Sequence, residues 1–173
     1  MADILELIER RRSVRRYTPE PVTRKELELL LRAGMAAPSA SGRKPWYFVV
    51  VTEEERLAAL RRRLPLGRYN APAAIIVCGD LQRAWPPPAR NFWVVDCSAA
   101  LQNIMLAASG IGLGSVCIGV YPLRPLMLLV ARAMRLPRSV QPLALVWVGH
   151  PAANPPPLNR YDPQRVHWQE FRR

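Results

Sequence analysis

The sequence predicts an α+β fold in one domain, and three observations predict it. The chain has 173 residues, enough for one hydrophobic core and too few for two large lobes each with its own. Half the residues are apolar and 22% are charged, a globular balance that sets aside the disordered, collagenous and disulfide-framework classes. Strand-like and helix-like segments follow one another at irregular spacing, which suits an α+β sheet better than a regular βαβ winding.

The elements follow from periodicity and punctuation. Residues 3 to 12 place Ile4, Leu5, Leu7 and Ile8 at helical spacing, with Asp3 near the start and Arg10, Arg11 and Arg12 at the end, where cations complement the helix dipole. Thr23-Arg24-Lys25-Glu26 reads as a capping box ahead of Leu27, Leu30 and Leu31, and Pro38 closes a helix of about 24 to 36. Tyr47 to Val51 is aromatic and β-branched, hence a strand, and Thr52 to Glu55 reads as a second capping box opening a helix of about 53 to 63. Ala73 to Cys78 is another strand. Phe92 to Ser109 is the longest helix, ended by Gly110, and its nearly all-round apolarity demands cover on several sides or a subunit interface. Strands at Val116 to Val120 and Leu143 to Val148 flank a helix of about 124 to 134. The tail from Pro151 holds Pro155, Pro156 and Pro157 and is expected to run extended and then wrap, with His167 and Trp168 docking it by packing.

Several classes are excluded. The apolar stretch from Val94 to Leu123 is broken by Asp96, Gln102, Asn103 and glycines, so no membrane helix is expected. The first residues lack a basic and apolar leader, and the expected compartment is the cytoplasm. Cys78, Cys97 and Cys117 form no C-x-x-C pair and read as buried thiols, Cys117 as core rather than redox-active. His150 and His167 are the only histidines, so no metal site is expected. Gly110-Ile111-Gly112-Leu113-Gly114-Ser115 lacks the last glycine of a dinucleotide loop and follows a helix, not a strand. There is no P-loop, no nucleophile elbow and no evident carboxylate pair, so either a cofactor carries the chemistry or there is none.

Two segments attract a ligand reading. Arg11-Arg12-Ser13-Val14-Arg15 gathers cations and a hydroxyl suited to a phosphate dianion, although arginines at a helix C-terminus are favourable without any ligand. Pro38 to Trp46 is a small-residue loop between prolines, able to bring backbone close to a flat ligand or to serve as a plain connection. Arg61, Arg62 and Arg63 read as a solvated helix end. The net charge of +12, with only Lys25 and Lys44 as lysines among 25 basic residues, favours anionic partners of any kind.

Taken in order along the chain, these segments resemble the FMN-dependent nitroreductase family. R-R-S-V-R at 11 to 15 with Tyr17 looks like its N-terminal phosphate motif, and P-S-A-x-G-x-K-P-W at 38 to 46 like its flavin loop. Asn70 to Cys78, Asp96 to Ala108, Gly112 to Pro122 and Arg160 to Trp168 resemble the later strand, core helix, strand under the flavin and C-terminal signature. The resemblance implies a mixed, mainly antiparallel central sheet flanked by helices, over one flavin-binding domain of 1–173 with a C-terminal arm of about 151–173. It implies a homodimer with swapped tails and FMN between subunits. Arg11, Ser13, Arg15 and Arg160 would hold the phosphate, with Arg12 contributing through its backbone or ribityl contacts. Pro38, Ser39 and Ala40 would come from the second subunit, and Ile118 and Gly119 would lie against the isoalloxazine near N5. Gly42 and Lys44 stand where the family usually has Asn and Gln; Lys44 either places a cation at the flavin's pyrimidine end, raising its potential, or marks weaker binding.

The activity this implies is transfer of hydride from NAD(P)H to flavin N5, then reduction of a nitroaromatic, quinone or related planar acceptor in the same slot, a ping-pong cycle. No side chain is then catalytic, and no metal, membrane or nucleic-acid partner is expected. The alternatives are a flavin store or sensor of the same fold and a basic nucleic-acid-binding protein; against the second, the aromatics are not interleaved with arginine as stacking platforms.

Overall fold

The computed structural model describes residues 4–153, 155–156 and 158–171. The helix start assigned to Asp3 and the extended conformation assigned to Pro157 lie outside the described residues.

The chain builds α1 (Ile4–Arg10), α2 (Arg24–Met35), β1 (Trp46–Val51), α3 (Glu54–Arg63), β2 (Ala73–Asp80), α4 (Phe92–Gly110), β3 (Gly114–Gly119), α5 (Arg124–Ala133) and β4 (Val140–Gly149). The strands form one sheet in the order β1-β2-β4-β3, every neighbouring pair antiparallel. The four-stranded sheet is thus wholly antiparallel rather than mixed; an isolated parallel bridge outside it, Ser13 to Ser115, lays the chain after α1 along the β3 edge.

Period-two alternation on the central strands divides the core. Ala73, Ile75 and Val77 of β2 pack with Leu27 and Leu30 of α2 and Trp93, Ala100 and Ile104 of α4. Ala74, Ile76 and Cys78 face the other way, toward Leu57 and Leu60 of α3, Val130 of α5 and Trp147. Both central strands are therefore buried on both faces and read as continuous apolar runs, each fully buried Leu or Ile contributing roughly 1.5–3 kcal/mol. Helices α2 and α4 form one layer, α3 and α5 the other.

Local chemistry explains where the elements differ from expectation. The capping box at α2 forms: Thr23 Oγ1 accepts the Glu26 amide at 3.2 Å and the Thr23 amide donates to Glu26 Oε2 at 2.8 Å. The box expected at Thr52 does not. Glu53 is the N-cap of α3, makes no side-chain cap, and gives its carboxylate to Arg56 Nε at 2.6 Å. Helix α4 ends with Gly110, as expected, and the stop is a Schellman turn in which Leu113 N donates to Ala108 O at 2.8 Å and Gly112 N to Ser109 O at 3.3 Å, with Gly112 at φ +83 supplying the left-handed step.

By length and composition alone Ala89–Gly110 would pass for a membrane span, but in the fold its Trp93, Cys97, Ala100 and Ile104 are buried against the sheet and α2. Other expectations need correction. Cys117 is half-buried rather than buried. Arg61 is not a solvated helix end: it donates to Tyr69 O at 2.9 Å and Ala71 O at 2.8 Å, pairs with Glu54 at 2.7 Å and stacks 5.6 Å above the Trp147 ring. Within the chain Trp168 is 76% exposed, and the His167 ring lies 4.2 Å from Phe171 in the same arm.

Candidate functional site

After α1 the chain becomes an extended strap on β3. Val14 N donates to Ser115 O at 2.9 Å, Thr18 N to His150 O at 2.9 Å, and Tyr17 bridges Pro151. Tyr17 rivets the strap. Its hydroxyl donates to Val14 O at 2.6 Å, and burial pushes its pKa well above the ordinary phenol range, so it stays a neutral donor. Asn70 holds the same residue from the side, accepting Tyr17 N at 3.2 Å and donating to Tyr17 O at 2.8 Å.

In an extended chain side chains alternate, and the strap obeys this. Arg12 and Val14 line a cleft of about 830 Å³ together with Leu7, Arg10, Gly114 and Pro155, whereas Arg11, Ser13 and Arg15 do not. This cleft therefore lies on the other side of the strap from most of the residues expected to hold phosphate.

The Arg11 guanidinium nevertheless feels two other cations. Partial burial lowers the Arg11 pKa most, and the charges of Arg160 and Arg12 lower it further. Arg160 lies 149 positions later in the sequence than Arg11, so the chain brings a distant residue of the tail within electrostatic reach of the strap. The Nε and Nη1 atoms of Arg12 are buried without a hydrogen-bond partner among the described residues. Buried, unpaired guanidinium donors are costly, and an anion is the group that relieves both the orphaned donors and the mutual repulsion. Ser13 is half-buried beside Ser115, and Arg15 is exposed further along the strap.

Ile118 and Gly119 close β3, and a Cβ built on Gly119 would meet nothing within 4 Å, so open space lies above that backbone. The Cys117 thiol on the same strand is pushed up by burial and is no thiolate nucleophile.

The loop from Pro38 to Lys44 belongs to the same end of the sheet as Gly119 but to the opposite edge. Trp46 pairs with Gly79 and Gly119 with Ala144, and the outer strands β1 and β3 stand three strand spacings apart, about 14 Å. Ala40–Gly42 makes one 3₁₀ turn, with Ser41, Gly42 and Lys44 at φ 49, 65 and 49. Ser39 O accepts Gly42 N at 2.9 Å and Ser39 Oγ accepts Lys44 N at 2.9 Å. Arg43 turns away, donating to Arg83 O at 2.7 Å and lying 5.6 Å from the Trp85 ring.

Two residues given no individual role in the sequence reading are part of this machinery. Asn70 fastens the strap. Asp96, the one acid of α4 and only 4% exposed, accepts the Ala40 amide at 2.8 Å and so ties the loop to the core helix. The available signal was its place in an otherwise apolar helix, where a carboxylate requires a partner.

An antiparallel sheet between two helical layers, carrying a basic strap on one edge, defines an α+β protein with a concentration of positive charge at the β3 edge. Its lineage follows from comparison with known proteins: the chain belongs to the Nitroreductase family, whose sequence profile matches residues 8–68 and 66–150. A protein of Methanothermobacter thermautotrophicus provisionally named NADH dehydrogenase/NAD(P)H nitroreductase is 40% identical over 98% of this chain and 88% of its own. A solved structure from Parabacteroides distasonis with the same provisional name superposes with a TM-score of 0.91 at 40% identity, covering 97% of this chain and 98% of that one. A provisionally named nitroreductase from Desulfovibrio desulfuricans, crystallised in complex with FMN, superposes at 0.82 with 29% identity over 99% of both chains. An NADPH-flavin oxidoreductase of Vibrio harveyi is 32% identical over 90% of this chain and 68% of its own.

Proposed function

We propose that this chain is an FMN-dependent oxidoreductase that takes reducing equivalents from NAD(P)H and passes them to a planar acceptor such as a nitroaromatic or a quinone, in a ping-pong cycle. The observation that carries the reading is Arg12, whose Nε and Nη1 are buried without a hydrogen-bond partner among the described residues, on a strap where Arg11 also feels the charges of Arg12 and Arg160. A phosphate dianion would answer both the unpaired donors of Arg12 and the crowded positive charge around Arg11. FMN, when bound, supplies a hydride acceptor at N5 and the electrons for the second substrate. The protein's own part is to grip, orient and leave one face open. Arg11, Ser13, Arg15 and Arg160 hold the phosphate, Arg12 adds to the grip, and Ile118 and Gly119 offer backbone to the ring, Gly119 without a side chain in the way.

The reading takes the chain as one unit, 1–173, with 151–173 as an arm, working as a homodimer. Its apolar α1 face, Ile4 65%, Leu5 64% and Ile8 47% exposed, and Phe92 and Val95 of α4, 49% and 61% exposed, are the surfaces a second copy would cover. Because β3 and the loop stand at opposite edges of one sheet, Pro38, Ser39, Ala40, Gly42 and Lys44 serve the flavin of the partner.

The test is spectroscopic. Purified protein should be yellow and release FMN, bleach with NAD(P)H under anaerobic conditions, and recover colour on adding a quinone. Light scattering should give a mass of two chains. A colourless preparation rich in 260 nm absorbance, which FMN does not stabilise, would overturn the reading; yellow protein that NAD(P)H leaves unbleached would reduce it to flavin binding.

A further inference from the structure

We propose that Asp96 is a positioning residue for the flavin, acting through the Ala40 amide on a loop that serves the partner subunit's site; this rests on the function proposed above. A carboxylate on an apolar helix, 4% exposed, costs several kcal/mol unless it is bonded, so its presence in α4 needs a reason. The bond it makes is to a main-chain N–H 56 positions earlier, at 2.8 Å, at the first residue of the loop's only helical turn. From there the loop runs through three left-handed residues, a course that needs fixed ends. Asp96 fixes its entry. The Ser39 hydroxyl, accepting Lys44 N at 2.9 Å, fixes its exit. Between these two bonds the segment Ser39–Lys44 is held in one conformation before any ligand arrives, so that its ordering is not charged against binding.

Asp96 also sits where inward and outward faces of α4 meet. The preceding Val95 is 61% exposed and belongs to the surface assigned to a second copy, while Asp96 points in to the loop. One turn of helix thus touches the interface and sets the loop that crosses it.

Asp96→Asn keeps an acceptor and Asp96→Leu removes it. Ala40→Pro removes the donor instead, at a site that tolerates proline: Ser39 is extended at φ −142, ψ 152, and Ala40 begins the turn. FMN titration of the apo dimers should find Asp96→Asn within about threefold of wild type, and Asp96→Leu and Ala40→Pro weaker by about tenfold or more, the scale of a charge-assisted hydrogen bond. The double variant should be no weaker than the poorer single, because both delete one bond. Dimer mass should not change.

The trans action has its own readout. In a mixed dimer of one Asp96→Leu chain and one Arg11→Ala chain, one site collects both lesions and the other neither, so one tight FMN per dimer is expected. Loss of both tight sites would overturn the action across the interface. FMN binding by Asp96→Leu and Ala40→Pro equal to wild type would overturn the positioning role while leaving the flavin function intact, whereas wild-type protein that binds no FMN ends the functional reading itself. If Asp96→Leu does not fold, Ala40→Pro and Asp96→Asn carry the test.

Discussion

The loop from Ser39 to Lys44 and the strap from Arg11 to Arg15 are both short, basic and placed at the sheet's edges, yet their hydrogen-bond accounts are opposite. In the loop the amides of Ala40, Gly42, Arg43 and Lys44 all have internal acceptors. On the strap the backbone is secured while the side chains are not: Arg12 leaves two buried nitrogens unpaired, and Arg11 is pressed by burial and by two like charges. Polar groups that a fold satisfies by itself shape the site, and polar groups it leaves unsatisfied indicate what must come from outside.

The sharpest break in that comparison would come from the ligand's phosphate. Riboflavin lacks it, so at least two charge-assisted bonds vanish, and affinity should fall by about 3 kcal/mol or more, over a hundredfold, relative to FMN. Calorimetry giving equal affinities would mean the strap does not wait for an anion. Next in size is Arg11→Ala, expected to weaken FMN by roughly 1.5–3 kcal/mol while leaving the melting temperature of the ligand-free protein unchanged or higher, because a crowded cation is removed. Unchanged FMN affinity with a lower apo melting temperature would make Arg11 structural.

A control away from both regions is Thr23→Ala. It should cost about 1 kcal/mol in urea unfolding and nothing in FMN affinity. Hydrogen bonds from Thr23 hold the Glu26 carboxyl below its ordinary range, so this contribution is complete above that range and is lost as pH falls through the folded value. The gap between wild type and Thr23→Ala should therefore narrow on acidification; a pH-independent gap would remove Glu26 from the cap. The smallest effect is expected in Lys44→Gln. An exposed charge contributes about 1 kcal/mol or less, so the flavin midpoint potential should drop by about 20 mV. An unchanged potential would place Lys44 away from the ring.

What the sequence disclosed and what it withheld divide along one physical line. Helices α2, α4 and α5 were legible because their periodicity and punctuation are local, and β2 because a strand buried on both faces is uniformly apolar. The arginine strap was legible as a concentration of charge. The Ala40–Asp96 and Tyr17–Asn70 bonds were not, since each joins residues more than 50 positions apart. A local signal also misled at α3, where Glu53 is the N-cap and pairs with Arg56 in place of the box expected at Thr52.

The way Asn70 grasps both the N–H and the C=O of Tyr17 has a consequence for how this segment can vary. The grasp indexes the strap as a pin indexes a ratchet, fixing which residues of an alternating chain face which side. Substitution alters one tooth at a time; losing or gaining a single residue between Arg12 and Arg16 would invert the facing of every residue ahead of it, sending Arg11 into the cleft now lined by Arg12. Length, more than composition, is therefore the property of this short run that the fold cannot surrender.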